Sequence, residues 1–268
     1  MLTATFQLFT GLGEAAERRL WERGCLLWEH IPRLRDKWLS PAKKRKLAPQ
    51  IQEARTALDA ALPDYFLNRL HGLARLRLLP HFGTHTIFLD IETTGLQADA
   101  TITTVAVFDG ERTNVYVEHA NMCELIPVLA SAKLLVTYNG MRFDLPRLRK
   151  RFGIDLVTPH LDLMPVLGAI GLKGGMKSVE RQLGIGRESV EEMDGADAVV
   201  LWHAHRQEGD LVPLHRLLRY NALDARNLER MARMLYKRSM QGFPLLPKLP
   251  ATPSTTPVWF QTQRLFDI

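Results

Sequence analysis

Two hydrophobic periodicities divide the chain near residue 83. Before it, apolar positions fall at helical spacing: Ala16, Leu20, Leu26 and Leu27 recur across residues 13–28, with an interruption at Gly24. The same spacing predicts helices from about Pro49 to Leu62 and from Pro63 to about Leu78. After residue 83 the apolar residues come in short β-rich runs. Residues 86–90, 101–108, 113–118 and 134–137 read as four strands, with Asp109-Gly110 as a hairpin signal after the second. Helices are expected from Asn121, as a cap, through Ala130, from Pro146 to Phe152, and from Met176 to Leu183. A long one is expected from Pro213 to about Tyr236. A β-β-β-α-β-α order followed by helices predicts an α/β fold, a mixed sheet flanked by helices. The expected organisation is a small helical region over residues 1–83, a main domain over 84–240, and a Pro/Thr-rich, extended or disordered tail over 241–268.

Composition narrows the class. With 268 residues, 46% hydrophobic and 24% charged, the chain is that of an ordinary globular protein, one large domain or a domain with an appendage. Its net charge of +6 suits an anionic partner such as nucleic acid. The cations are grouped. Arg33, Arg35, Lys37, Lys43, Lys44, Arg45 and Lys46 form one run, and Arg142, Arg147, Arg149, Lys150 and Arg151 form another. Arg216, Arg219, Arg226, Arg230 and Arg233 line the long helix. These are either guides for a phosphate backbone or solvated helix faces. Cys25 and Cys123 stand apart with no metal-type spacing, as expected of reduced thiols in a cytoplasmic protein. Neither a signal peptide nor a membrane span is expected.

Four acids in three short motifs carry the candidate chemistry. They are Asp90 and Glu92 in Asp90-Ile91-Glu92-Thr93-Thr94-Gly95, Asp144 in Asn139-Gly140-Met141-Arg142-Phe143-Asp144, and Asp224 in Tyr220-Asn221-Ala222-Leu223-Asp224. Asp90 and Glu92 are two apart on a strand, so both point to one face while Ile91 points to the core. Tyr220 and Asp224 are one helical turn apart and share a face. Converging carboxylates repel one another and are costly to bury unless cations sit between them. Hard divalent ions with oxygen ligands, Mg2+ or Mn2+, are the natural partners, and a pair of them is the machinery of phosphodiester hydrolysis.

In these motifs the chain resembles the DEDD 3'-5' exonucleases of the ribonuclease-H-like superfamily, and Tyr220 matches their tyrosine variant. It is most similar to the YprB-like ribonuclease-H-like family, which also has counterparts of Lys177-Ser178-Val179-Glu180 and Asp194-Gly195-Ala196. The resemblance covers about residues 84–240. It implies a ribonuclease-H-like fold and a metal-dependent 3'-5' exonuclease acting on single-stranded ends of DNA or RNA. It further implies two ions, Mg2+ or Mn2+, held by Asp90, Glu92, Asp144 and Asp224. Tyr220 would orient the attacking water, since a phenol of ordinary pKa is a poor base near neutrality. Thr93, Thr94, Asn139 and Arg142 are the expected substrate contacts. Lys173 and Lys177 flank Gly174-Gly175, read either as a flexible loop that touches substrate or as an ordinary surface turn. Asp162 is expected to fix a strand end. The turn Gly11-Leu12-Gly13 resembles a helix-hairpin-helix turn, either offering backbone N–H groups to a phosphate or packing two helices. Two other readings stay open: a binding module that grips nucleic acid on a nuclease fold without cutting, and a structure-selective endonuclease.

Overall fold

The structure, a computed structural model, describes residues 2–97, 99–187 and 193–241. The expected tail therefore lies, from residue 242, outside the described residues. Ten α-helices are described: α1 Glu14–Glu22, α2 Pro41–Asp59, α3 Pro63–Leu67, α4 Leu79–Phe82, α5 Leu125–Ser131, α6 Asp144–Phe152, α7 Leu163–Gly168, α8 Met176–Leu183, α9 Gly195–Glu208 and α10 Leu211–Ser239. Five strands accompany them: β1 Thr86–Thr93, β2 Ile102–Phe108, β3 Thr113–Val117, β4 Leu134–Thr137 and β5 His160–Asp162. The chain divides into two compact units, one of residues up to Gly83 with the end of α10 from Arg233, the other from Thr84 to Ala232.

The first unit is helical, with boundaries that differ from the expected ones. The helix expected to begin at Pro49 begins at Pro41, where Ser40 accepts a bond from the Lys43 N–H as its cap and Pro41 takes a first-turn position that needs no donor. It then runs through Pro49, giving up one internal hydrogen bond. The helix expected over 63–78 breaks into α3 and a 3-10 segment, Gly72–Leu78. Two short 3-10 turns, Leu2–Ala4 and Phe6–Leu8, precede the Gly11-Leu12-Gly13 turn, in which Gly11 takes φ +78° and Leu12 is buried. Glu17 on α1 is fully buried and fully engaged. It accepts from the Phe6 N–H at 2.6 Å, the Gln7 amide at 2.7 Å and Arg77 Nη1 at 2.6 Å. Arg77 Nη2 also donates to the Ser239 carbonyl at 3.0 Å.

The second unit is a five-stranded mixed sheet in the order β3-β2-β1-β4-β5. β1 is central, antiparallel to β2 and parallel to β4, and β4 is parallel to β5. Alternation along β1 sorts its side chains. Ile87, Leu89 and Ile91 join Val105, Val107 and Leu135 in a core that α5 and α6 cover with Leu125, Leu129, Leu145 and Leu148. Asp90 and Glu92 take the other face, opposite Ala106 and Thr104 on β2. Asn121 does not cap a helix; its side chain accepts from the Val117 N–H at the end of β3. The segment after it is a 3-10 turn, Met122–Glu124, before α5. The mixed sheet, its helices and the helical N-terminal region are the architecture the sequence predicts. The short strand β5 and the helices α4, α7 and α9 are elements the sequence reading does not predict.

Candidate active site

The second-motif turn is built by close approach. After β4, Asn139 takes φ +61°, a conformation that suits Asn, and Gly140 follows. A Cβ at Gly140 would lie 2.0 Å from Thr137 Oγ1, whose hydroxyl accepts the Gly140 N–H at 3.1 Å, so only glycine fits. Asp162 stands beside Thr137 in the β4–β5 register. Its carboxylate accepts from Asn139 N–H at 2.7 Å and Met141 N–H at 3.2 Å, and caps α7 through Met164 N–H at 3.0 Å. Asp162 therefore fixes both a strand end and the turn that delivers Asp144, the first residue of α6.

The long helix closes the site from the sheet's other face. Asn221 is fully buried. Its Nδ2 donates to Asp90 Oδ2 at 2.7 Å and to the Asp90 carbonyl at 3.2 Å, while its Oδ1 accepts from Thr104 Oγ1 at 2.9 Å. One side chain of α10 thereby locks to β1 and β2 and aims Asp90. Asp224 is three residues further on. Asp90, Glu92 and Asp224 bring one carboxylate oxygen each within 4.8 Å of one another.

Electrostatics confirms how unfavourable this cluster is without a cation. Burial first, then repulsion from Asp224, Glu92 and Asp144, holds the Asp90 carboxyl well above the usual range, with the Asn221 bond opposing. Burial and then Asp224 do the same to Glu92. Asp144 is buried beside this group and pushed up to about 7 by burial, with backbone hydrogen bonds at Asp144 and Ile91 drawing it back. Asp224 is pushed up to about 6 by burial, against the opposing pull of Arg187. Three close carboxylates with a fourth at their side are a hard, all-oxygen donor set, which fits a divalent cation.

Tyr220 is buried at the same place, and its phenol is held well above its ordinary range by burial and then by Asp224 and Glu92. The expected substrate contacts are less alike. The Thr93 hydroxyl donates to the Gly95 carbonyl at 2.6 Å, and the Thr94 hydroxyl accepts the Thr101 N–H at 3.0 Å, so both shape the turn after β1. Asn139 is half-buried and Arg142 exposed. Of the nearby cations, Arg147 holds the Leu96 carbonyl at 3.0 Å, and Arg149 and Arg151 pair with Asp155 and Glu118. All three therefore have partners within the protein. The Gly174-Gly175 loop is tied down by the Tyr138 hydroxyl, which donates to the Gly174 carbonyl at 2.6 Å.

One feature of the site had no local signal in the sequence. Arg187 pairs with Asp224 through Nη2 and with Glu180 Oε2 through Nη1 at 2.6 Å. Glu180, only 1% exposed, is held on its other oxygen by Asn227 Nδ2 at 2.7 Å. The Lys177-to-Glu180 segment does point to this region; Arg187 is legible only once residues 180, 187 and 224 are brought together.

The fold and the placement of its acids define the class. Residues 87–236, more than half of the chain, match the sequence model of the RNase_H superfamily. The chain belongs to that superfamily. No curated protein matches it. Among solved structures, it is similar to the family B DNA polymerase from the hyperthermophilic archaeon Pyrobaculum calidifontis, at 16% identity and a TM-score of 0.44. The alignment covers 59% of this chain and 26% of the polymerase, so the chain spans about a quarter of that protein's length. No helix among the described residues is long and apolar enough to cross a membrane.

Proposed function

We propose that this protein is a divalent-metal-dependent nuclease that hydrolyses phosphodiester bonds, acting as a 3'-5' exonuclease on single-stranded ends. The observation that carries the reading is the convergence of Asp90, Glu92 and Asp224 within 4.8 Å, with Asp144 buried at their side, in a superfamily domain of this type. Asp90, Glu92, Asp144 and Asp224 are the residues that would hold Mg2+ or Mn2+, two ions in all. Bound there, the ions supply an activated water and charge stabilisation at the leaving oxygen. Asn221 keeps Asp90 in its ligating orientation, as partners behind metal ligands do. Tyr220 orients the attacking water rather than taking its proton, because its phenol is held above its ordinary range. Leu96 and Met141, 83% and 59% exposed on the turns after the first and within the second motif, offer apolar surface to a base. Asn139 and Arg142 remain the polar candidates on the second of these turns, whereas Thr93 and Thr94 contribute through the turn they shape. The polarity and the single-strand preference rest on the motif resemblance. The division into a nuclease domain over 84–240 and a helical region over 1–83 belongs to the same proposal.

The test is incubation of the protein with end-labelled single-stranded DNA and RNA oligonucleotides in Mg2+, Mn2+ or EDTA, beside Asp90→Asn. A metal-dependent ladder growing from the 3' end and lost in the variant is expected. Internal cuts would replace the exonuclease with an endonuclease. Binding without cleavage in either metal would leave a nucleic-acid-binding module instead.

A further inference from the structure

Two cationic groups beside the acidic cluster are enclosed without a full set of partners. Lys177 Nζ and Arg187 Nε are both buried, and neither meets a hydrogen-bond acceptor among the described residues. Both side chains lie over the same ring. Lys177 Nζ is 4.5 Å and the Arg187 guanidinium carbon 5.2 Å from the centroid of Tyr220. The other Arg187 donors are committed, Nη1 to Glu180 and Nη2 to Asp224. Lys177 feels Asp224, Asp194 and Glu92 as counter-charges but is hydrogen-bonded to none of them. A buried charged donor without an acceptor is costly, and two of them over one aromatic ring call for a shared anion. The site also needs cations of its own, because four carboxylates repel a polyanion before any ion has neutralised them.

We infer that Lys177 Nζ and Arg187 Nε form a phosphate subsite over the ring of Tyr220, which binds a backbone phosphodiester of the nucleic acid presented to the carboxylates. The inference deepens the nuclease reading and takes the identity of its anion from it. Arg187 is anchored by Glu180, itself anchored by Asn227, so its Nε is held in a fixed direction. Lys177, in the first turn of α8, supplies a single compact charge. Charge-assisted bonds from both would fix the phosphate relative to Tyr220 and Asp224.

Binding and cutting are read separately. A fluorescent single-stranded oligonucleotide with phosphorothioate linkages is titrated in Ca2+ by anisotropy over a salt series, with wild type, Lys177→Met and Lys177→Arg. Mn2+ affinity is read on the same proteins by electron paramagnetic resonance. Lys177→Met should weaken oligonucleotide binding about tenfold. It should also flatten the log Kd against log salt slope by about 0.7, the signature of one lost single-strand phosphate contact. Lys177→Arg should retain most of the affinity, and Mn2+ affinity should stay within about twofold in both. Unchanged affinity and slope in Lys177→Met would overturn the subsite. So would a parallel loss of Mn2+ binding, which would place Lys177 behind the metal ligands, or an absence of oligonucleotide binding by wild type. Wild-type binding without cleavage in Mg2+ would remove the nuclease reading while the Lys177→Met difference still supported the subsite.

Discussion

Asn221 and Tyr220 are neighbours on one helix with opposite tasks, and substitution separates them. Asn221→Ala leaves the Thr104 hydroxyl and one Asp90 oxygen without their partner, at a cost of about 1–3 kcal/mol. Both stability, by denaturant unfolding, and Mn2+ affinity should fall. Tyr220→Phe keeps the ring that Lys177 and Arg187 lie over, so Mn2+ affinity should hold while cleavage slows by up to roughly 100-fold. Equal rates would demote Tyr220 to packing. The acids make a further prediction through pH. Folded Asp144 and Asp224 titrate near 7 and 6, above their unfolded values. Below the ordinary carboxylate range both states hold these protons and the stabilising contribution is complete. As pH climbs through 6 and 7 the folded state must give them up into a repelling cluster, and the contribution is lost. Metal-free protein in EDTA should therefore melt lower at pH 8 than at pH 5, less steeply in Asp144→Asn, and Mn2+ should restore more at pH 8. A metal-free melting temperature that rises from pH 5 to pH 8 would contradict this sign.

The turn between β4 and α6 delivers Asp144 only because nothing larger than a hydrogen fits at Gly140. Gly140→Ala forces the Cβ into the Thr137 hydroxyl, a β-branched side chain on a strand paired on both sides that has little room to yield. A loss of about 1–3 kcal/mol in unfolding free energy is expected, with weaker metal binding because Asp144 moves with the turn. The same elements show what a sequence makes legible. β1 to β4 were readable because each is an apolar run whose alternation or length has no helical counterpart. The shared face of Asp90 and Glu92 was readable because strand period sets it locally, as helix pitch does for Tyr220 and Asp224, whereas the approach of Asp144 depends on a turn held by the distant Asp162. β5 was not readable as a strand, since three residues, one apolar, carry no periodicity and are held by pairing with β4. α9 has an amphipathic signal too weak to notice, although Asp194 and Asp197 form a capping box that announces its start. Pro49 misled because a proline more often opens a helix than sits inside one, and Ser40-Pro41 held the true start. Arg187 was out of reach because its partners, Glu180 and Asp224, lie 7 and 37 residues away.

The chain as a whole rests on a few buried polar anchors as well as on its cores. In the first unit Arg77 holds Glu17 and the Ser239 carbonyl in a setting almost without solvent. Arg77→Met leaves the Glu17 carboxylate buried with the neutral donors of Phe6 and Gln7 and no counter-charge, and a loss of about 3–5 kcal/mol is expected by chemical denaturation. Double replacement, Glu17→Met with Arg77→Met, should recover part of it, since no charge is then stranded. In the second unit the acids enter the chain far apart. Asp90 and Glu92 come first, then Asp144, while Asp224 waits on the last helix of the unit. During synthesis the chain emerges from its N-terminus, and the carboxylate centre lacks one of its members until that helix has left the ribosome and packed. On the nuclease reading proposed above, cutting is deferred by the order of the chain itself, because no complete carboxylate centre exists before that helix is in place.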